Sequence, residues 1–320
     1  MITNISDGIG QAAHFLKLGQ AVAIPTETVY GLAANIYNES AIRSIFELKQ
    51  RPLNNPLIVH IHSFDQLNEI AVNIPEVAYQ LARKFWPGPL TLILEKQQDI
   101  SDLITANKPT VGIRMPNHPL TLELLKSLDF PLAAPSANPF KRISPTNPER
   151  VFEYFENKLS FILDGGECQS GIESTIVGFR EGNPVIYRLG ALAKEKIEEI
   201  TGTIEIANTE NNAPVAPGML DKHYSPRTEL IVTENIEQEV QKNRDRKIGL
   251  LSFHPLPSVE NVVLQKSLTE NSDLEEAAHN LYEYLQELDE SNLDVIIAEF
   301  IQKKGLGDSI NDRLKRASHK

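Results

Sequence analysis

The apolar residues of this chain come in short runs that switch between two spacings, and the switching restricts the fold. Segments 20–24, 57–61, 90–95, 111–115, 161–163, 174–179 and 185–188 are apolar throughout or alternate with a period of two, as strands do. Segments 40–49, 75–85 and 120–128 carry apolar residues three and four apart, as one face of a helix does. Breakers punctuate the pattern: Pro25 ends the first strand, and Pro87-Gly88-Pro89 precedes the strand at 90–95. At Asn147-Pro148 a helix opens, with Asn as the cap and Pro at its first position. The first two-thirds therefore reads as mixed α/β.

The pattern breaks at 208–217, where Asn, Glu, Ala and Pro replace the periodicity as in a linker, and then resumes. The stretch Pro217 to Pro226 is too specific in composition to be a mere spacer. Beyond it, 229–232, 248–253, 261–264 and 295–300 read as strands and 273–288 as an amphipathic helix, which together predict a small open α/β unit. A length of 320 residues suits two domains. The expected division is 1–207, a linker or lid at 208–228, and 229–320.

No apolar run approaches the length of a membrane span, and the start has neither the basic nor the apolar part of a secretory signal, so a cytoplasmic address is expected. Cys168 is the one cysteine, which excludes an internal disulfide and a cysteine metal cluster. With a net charge of −12 the chain is a poor candidate for wrapping nucleic acid through its whole surface.

The sequence has no Gly-x-x-x-x-Gly-Lys-Ser/Thr loop, no Gly-x-Gly-x-x-Gly, no His-Glu-x-x-His and no Gly-x-Ser-x-Gly elbow. Polar residues cluster instead where strands end. The segment Pro25 to Leu32 offers two threonines, a carboxylate and a tyrosine; it suits a binding loop, and equally a turn with a helix cap. Lys49 and Arg51 end a helix, where cations also relieve exposed carbonyls, but Pro52 and Pro56 stiffen the next turn and fix both charges in space. Arg114 lies in an apolar strand and needs a carboxylate partner, from protein or ligand. Small residues around Ser136 and Asn138 permit close backbone approach to an anion, or form a plain surface turn. Segments 171–177 and 186–190 add hydroxyls and Arg188. Four cations on an acidic protein, accompanied by Thr, Ser and Asn donors, are what a small anionic ligand requires.

Seven of these segments, in order, resemble the YrdC-like family: Pro25-Thr-Glu-Thr-Val-Tyr-Gly-Leu32, Lys49-x-Arg51-Pro, Asn55-Pro-Leu57, Phe85-Trp-Pro-Gly-Pro-Leu-Thr91, Arg114-x-Pro, Ser136-x-Asn138 and Glu173-Ser-Thr175. The C-terminal third, with Pro217-Gly-Met219, His223-Tyr-Ser-Pro226, Gly305-Leu-Gly307 and Asn311-Asp-Arg-Leu314, resembles the two-domain members of that family. It departs from them at Leu220-Asp221, where relatives carry a more basic pair. The resemblance implies a twisted open-sheet domain with a central concave pocket, followed by a small Rossmann-like α/β domain.

It further implies synthesis of threonylcarbamoyl-AMP and pyrophosphate from L-threonine, bicarbonate and ATP with Mg²⁺. That is the first step of threonylcarbamoyladenosine formation at position 37 of ANN-decoding tRNAs. Threonine-side residues would be Thr28, His60, Arg114, Ala134 through its backbone, and Ser174. On the ATP side would be Arg51, Asn55, Thr110, Ser136, Ser144, Arg188 and the linker's Tyr224. Lys49, Arg51, Ser136 and Asn138 form the family's tetrad, and no metal ligand is implied. Product would pass to downstream tRNA-modifying transferase proteins, with direct tRNA binding weak or absent. The rival reading is an RNA-binding protein that uses the same cationic concavity; the acidic balance and the lack of interleaved aromatics weigh against it.

Overall fold

The computed structural model describes residues 4–207 and 223–319. The chain opens with β1 (Asn4–Ser6), α1 (Ile9–Lys17), β2 (Val22–Ile24), β3 (Gly31–Asn35), α2 (Glu39–Lys49) and β4 (Ile58–His60). It continues through α3 (Phe64–Ile70), β5 (Ala71–Val72), α4 (Glu76–Phe85), β6 (Leu90–Lys96), α5 (Asp102–Thr105) and β7 (Thr110–Arg114). Then come α6 (Pro119–Lys126), β8 (Leu132–Ala133), α7 (Pro148–Phe155), β9 (Phe161–Leu163), β10 (Thr175–Arg180), β11 (Asn183–Arg188), α8 (Lys194–Thr201) and β12 (Glu205–Ile206). These strands build one mixed sheet in the order β1-β9-β2-β3-β8-β4-β7-β6-β10-β11-β12, with β5 paired to β6.

Local chemistry sets several of these boundaries. Asn147 Oδ1 accepts the Arg150 amide at 2.9 Å and Pro148 is the next residue, so the cap and first-position proline meet at the start of α7 as their order predicts. Asn38 and Ser63 cap α2 and α3 in the same way. The segment from Pro25 divides in a way its composition does not reveal: 25–30 is loop, and Gly31–Asn35 turns back as β3, antiparallel to β2.

The second unit comprises β13 (Glu229–Thr233), α9 (Ile236–Lys242), β14 (Ile248–Ser252), β15 (Val262–Ser267), α10 (Leu274–Glu290), β16 (Val295–Glu299) and α11 (Leu306–Ser318). Its four strands are all parallel, in the order β13-β16-β14-β15. A parallel sheet needs cover on its faces, and the wholly buried Val295, Ile296, Ile297 and Ala298 of β16 show that it has it. The two units share one apolar cluster: Val29, Ile143 and Ile172 pack with Leu281, Tyr282 and Leu285 of α10. Around this cluster run ion pairs from Arg142 to Asp289 (2.9 Å) and from Arg150 to Glu283 (2.9 Å) and Glu290 (2.8 Å). Gly171 (φ +71°) makes the approach possible, because a Cβ there would lie 2.4 Å from the backbone of His279.

Candidate active site

The site forms where strands of the large sheet end. Strands β4 and β7 are parallel, and their last residues, His60 and Arg114, are register partners. Ala134 immediately follows β8, and its amide donates to Ile58 O at 2.9 Å, which brings the small-residue loop alongside β4. Ser174 immediately precedes β10, and Arg188 closes β11. The loop after β2 is tied by Thr26, whose Oγ1 donates to Val29 O (2.7 Å), accepts from the amides of Thr28 and Val29, and lies 2.8 Å from Thr28 Oγ1. One pocket results, lined by Thr28, Arg51, His60, Arg114, Ala134, Ser136, Ser174 and Arg188, with Glu173 and, from the C-terminal side, His223 and Tyr224.

Each cation is anchored differently. Arg51 donates to the carbonyls of Asn55 (Nε, 3.2 Å) and Pro56 (Nη2, 2.9 Å), which fixes its guanidinium at the pocket edge; burial lowers its pKa to about 9. Arg188 donates through Nε and Nη2 to Ser174 O (3.2 and 2.8 Å) and through Nη2 to Ser174 Oγ (3.2 Å). Thr91 Oγ1 lies 2.8 Å from the same hydroxyl and completes its orientation. Arg114 Nη2 sits 2.7 Å from Glu27 Oε1, so the carboxylate that the sequence demanded is supplied by the protein. The pair is out of hydrogen-bond alignment, and Arg114 Nε and Nη2 make no hydrogen bond among the described residues although both are buried. Buried donors in that condition call for an acceptor. His60 is neutral: burial, then the Arg114 charge, lower its pKa to about 3.

Other residues named from the sequence lie behind the lining. Lys49 is 1% exposed, and its Nζ donates to the carbonyls of Ser136 and Asn138, both at 2.5 Å. It therefore cross-links the loop that presents Ser136. Asn138 Nδ2 donates to Pro139 O (3.0 Å) and Arg142 O (2.9 Å) and closes that loop on itself. Ser144 Oγ donates to Glu173 Oε1 at 2.7 Å. Asn55 is 1% exposed with neither amide atom hydrogen-bonded among the described residues, beside the Arg51 anchor. Thr110 stands apart: it begins β7, four residues and so about 13 Å along the strand from Arg114, and is not among the lining residues. The linker at 208–222, with Leu220-Asp221, lies outside the described residues.

Several lining or supporting residues escape a reading of the sequence. Glu27 and Glu173 stand in the family motifs without a role; a buried carboxylate beside hydroxyls is the signal that each offers. Tyr282 and Arg313 come from the second unit and reach Glu173 at 3.0 Å and 2.9 Å. Helical spacing in α10 and α11 gives no hint of that. Cys168 is buried and burial pushes its thiol well above the usual range, which suits a packing residue rather than a nucleophile. Among the described residues no group of three or more His, Cys, Asp or Glu side chains is placed to hold a metal ion.

A mixed sheet whose strand ends bring arginines together in one pocket defines, by fold and site, an α/β protein suited to small anionic ligands. Comparison with known proteins narrows this class. Residues 14–190 match the Sua5_yciO_yrdC family, described as telomere recombination, and 192–319 match the threonylcarbamoyl-AMP synthase C-terminal domain. The chain is 42% identical to threonylcarbamoyl-AMP synthase of Pyrococcus abyssi, over 96% of this chain and 93% of that one. It is 40% identical to the Bacillus subtilis protein of the same name, over 97% and 92%. The crystal structure of P. abyssi Sua5 complexed with L-threonine superposes with a TM-score of 0.93 at 40% identity, covering 99% of this chain and 97% of that chain. So does a P. abyssi Sua5 variant in which a histidine and the tyrosine after it are replaced by alanine, with a TM-score of 0.92 at 39% identity over 99% and 96%. The chain belongs to the threonylcarbamoyl-AMP synthase family.

Proposed function

We propose that the pocket joins L-threonine, bicarbonate and ATP into threonylcarbamoyl-AMP, releasing pyrophosphate. The threonine amine attacks the carbon of bicarbonate, water leaving as the C–N bond forms, and the resulting carbamate presents a carboxylate oxygen to the α-phosphorus of ATP. The new O–P bond forms as the bond to pyrophosphate breaks, and the electron pair leaves with pyrophosphate. The observation that carries this reading is the convergence of Arg51, Arg114, Arg188 and Ser136 on one pocket in which Arg114 still has buried, unbonded donors.

In this scheme Arg114 takes the threonine carboxylate, with Thr28, His60, the Ala134 backbone and Ser174 around the amino acid. Neutral His60 adds no second cation beside Arg114. Arg51, Ser136, Arg188 and Tyr224, which line the pocket, take the nucleotide, with Asn55 and Ser144 supporting them from behind; Thr110, which the resemblance also puts on this side, does not line the pocket. Lys49 and Asn138 act by holding the Ser136 loop. Mg²⁺ would enter with ATP and offset phosphate charge; Glu173, which lines the pocket, and Glu27, which does not, are already paired with arginines. No protein nucleophile is needed. Alignment of the two reactants contributes on the order of 7 kcal/mol or more, and fixed cations stabilise the charge that develops on phosphate.

Both the carbamate and the mixed anhydride decompose in water, so closure matters. We assign it to the segment 208–228 between a catalytic unit, 1–207, and a small C-terminal unit, 229–320. Its described end supports this: Tyr224 is buried at the pocket, with its hydroxyl unbonded among the described residues. The sequence has a single His-Tyr step, His223-Tyr224, which is the kind of pair altered in the P. abyssi variant. Product then passes to tRNA-modifying transferases in the cytoplasm; among the described residues no helix is long and apolar enough to cross a membrane. The RNA-binding reading loses ground because the arginines converge on one concave pocket instead of forming a stripe along the surface. Incubation with labelled bicarbonate, threonine and ATP tests the scheme: equal amounts of pyrophosphate and a labelled, threonine-dependent adenylate are expected. Pyrophosphate release that ignores threonine refutes it.

A further inference from the structure

Building on that reading, we infer that Arg313, in helix α11 of the C-terminal unit, is a positioning residue for the nucleotide half of the site. It clamps Glu173 and Leu189, the residues flanking the Ser174–Arg188 contact, and so sets where the Arg188 guanidinium sits.

Arg313 is fully buried, yet it does not line the pocket; Glu173 and Tyr224 stand between. Its Nε donates to Glu173 Oε2 (2.9 Å) and its Nη2 to Leu189 O (2.8 Å), the carbonyl next to Arg188. Its Nη1 donates to Asp312 Oδ2 (2.7 Å), and its Cζ lies 5.0 Å from the centre of the Tyr224 ring. One side chain from the second unit thus touches three pieces of the pocket wall: the segment before β10, the end of β11 and the linker.

Burying a guanidinium costs several kcal/mol unless charge and hydrogen bonds compensate. The burial of Arg313 on the inner face of α11 therefore calls for a compensating charge. Glu173 supplies one. Its carboxylate accepts from Ser144 and Tyr282, and stays ionised although burial opposes that, because the Arg313 charge and then the Arg188 charge hold its pKa at about 2. With Arg313 gone, the Glu173 anion stays buried without its ion pair, and the segment Glu173-Ser174 on which Arg188 is anchored loses its tie to α11. Arg313→Lys keeps the charge but loses the planar fork that spans Glu173 and Leu189, so it restores only part of the effect.

The test is initial-rate pyrophosphate release with ATP and threonine titrated separately, for the wild type, Arg313→Met, Arg313→Lys, Glu173→Gln and the Arg313→Met/Glu173→Gln pair. The KM for ATP should rise tenfold or more in Arg313→Met, with the KM for threonine within twofold of wild type. Arg313→Lys should fall between, and adding Glu173→Gln should recover at least threefold of the loss. Equal changes in both KM values, no change in either, or a double variant no better than Arg313→Met would overturn the assignment. Should Arg313→Met fail to fold, as judged by circular dichroism, Arg313→Lys is held to the same ATP-selective criterion. A wild type that releases no threonine-dependent pyrophosphate refutes the proposed reaction and not the arginine; ATP affinity by calorimetry on the same variants then decides the arginine alone.

Discussion

Arg114 shows how a single side chain is committed twice. Glu27 makes its burial tolerable, while two of its nitrogens stay without a hydrogen bond. Arg114→Ala should raise the threonine dissociation constant by at least about thirtyfold, since truncating one partner of a buried charge pair costs on the order of 2–5 kcal/mol. ATP affinity should hardly move. Calorimetric titration checks this, and unchanged threonine affinity would remove Arg114 from the amino-acid side. The need for a carboxylate was legible from an arginine in an apolar strand; that Glu27 meets it was not, because 87 positions separate them and no local pattern links the two. Lys49 was legible as a cation near the site. Its two bonds to the Ser136 loop place it as a brace, a distinction that only tertiary contact reveals.

Among elements, strands and strongly periodic helices were readable and short elements were not. The apolar spacing of 40–49 and 75–85 anticipates α2 and α4 within a residue or two. Helix α1, which buries Ala12, Ala13 and Leu16, was missed although its apolar residues fall on one face. Strand β3 hid inside a motif that read as a loop, since Gly31 and two alanines have little strand propensity and the pairing with β2 decides their state. Docking of α10 depends on a bare backbone position. Gly171→Ala should lower stability by about 2 kcal/mol or more, from backbone strain plus the clash with His279. Gly166→Ala is the matched control, with φ +70° and open space around the new methyl, and should cost only about 1 kcal/mol. Equal losses of thermal stability in the two variants would argue against the docking account.

For the whole molecule, Glu173 links pocket and C-terminal unit, so acid should act on both together. Its folded pKa of about 2 is depressed from 4.5, which means that its contribution is complete above pH 4.5 and disappears as pH falls toward 2. That contribution is on the order of 3 kcal/mol. Urea unfolding at stepped pH should show the loss, and Glu173→Gln should flatten the slope; an identical slope would mean that other carboxylates dominate. By itself the sequence determined the α/β class, the strand ends that carry polar residues, the cation inventory and the resemblance that names a reaction. The first three follow from local spacing and residue type, which survive in one dimension; the reaction is what the family resemblance implies. Tertiary structure alone decided which donors face the pocket, that Glu27 balances Arg114, and that Tyr282 and Arg313 cross a domain interface to reach Glu173. The physical reason is that pairing a buried charge is a matter of distance in space, and a sequence fixes which groups exist without fixing which of them meet.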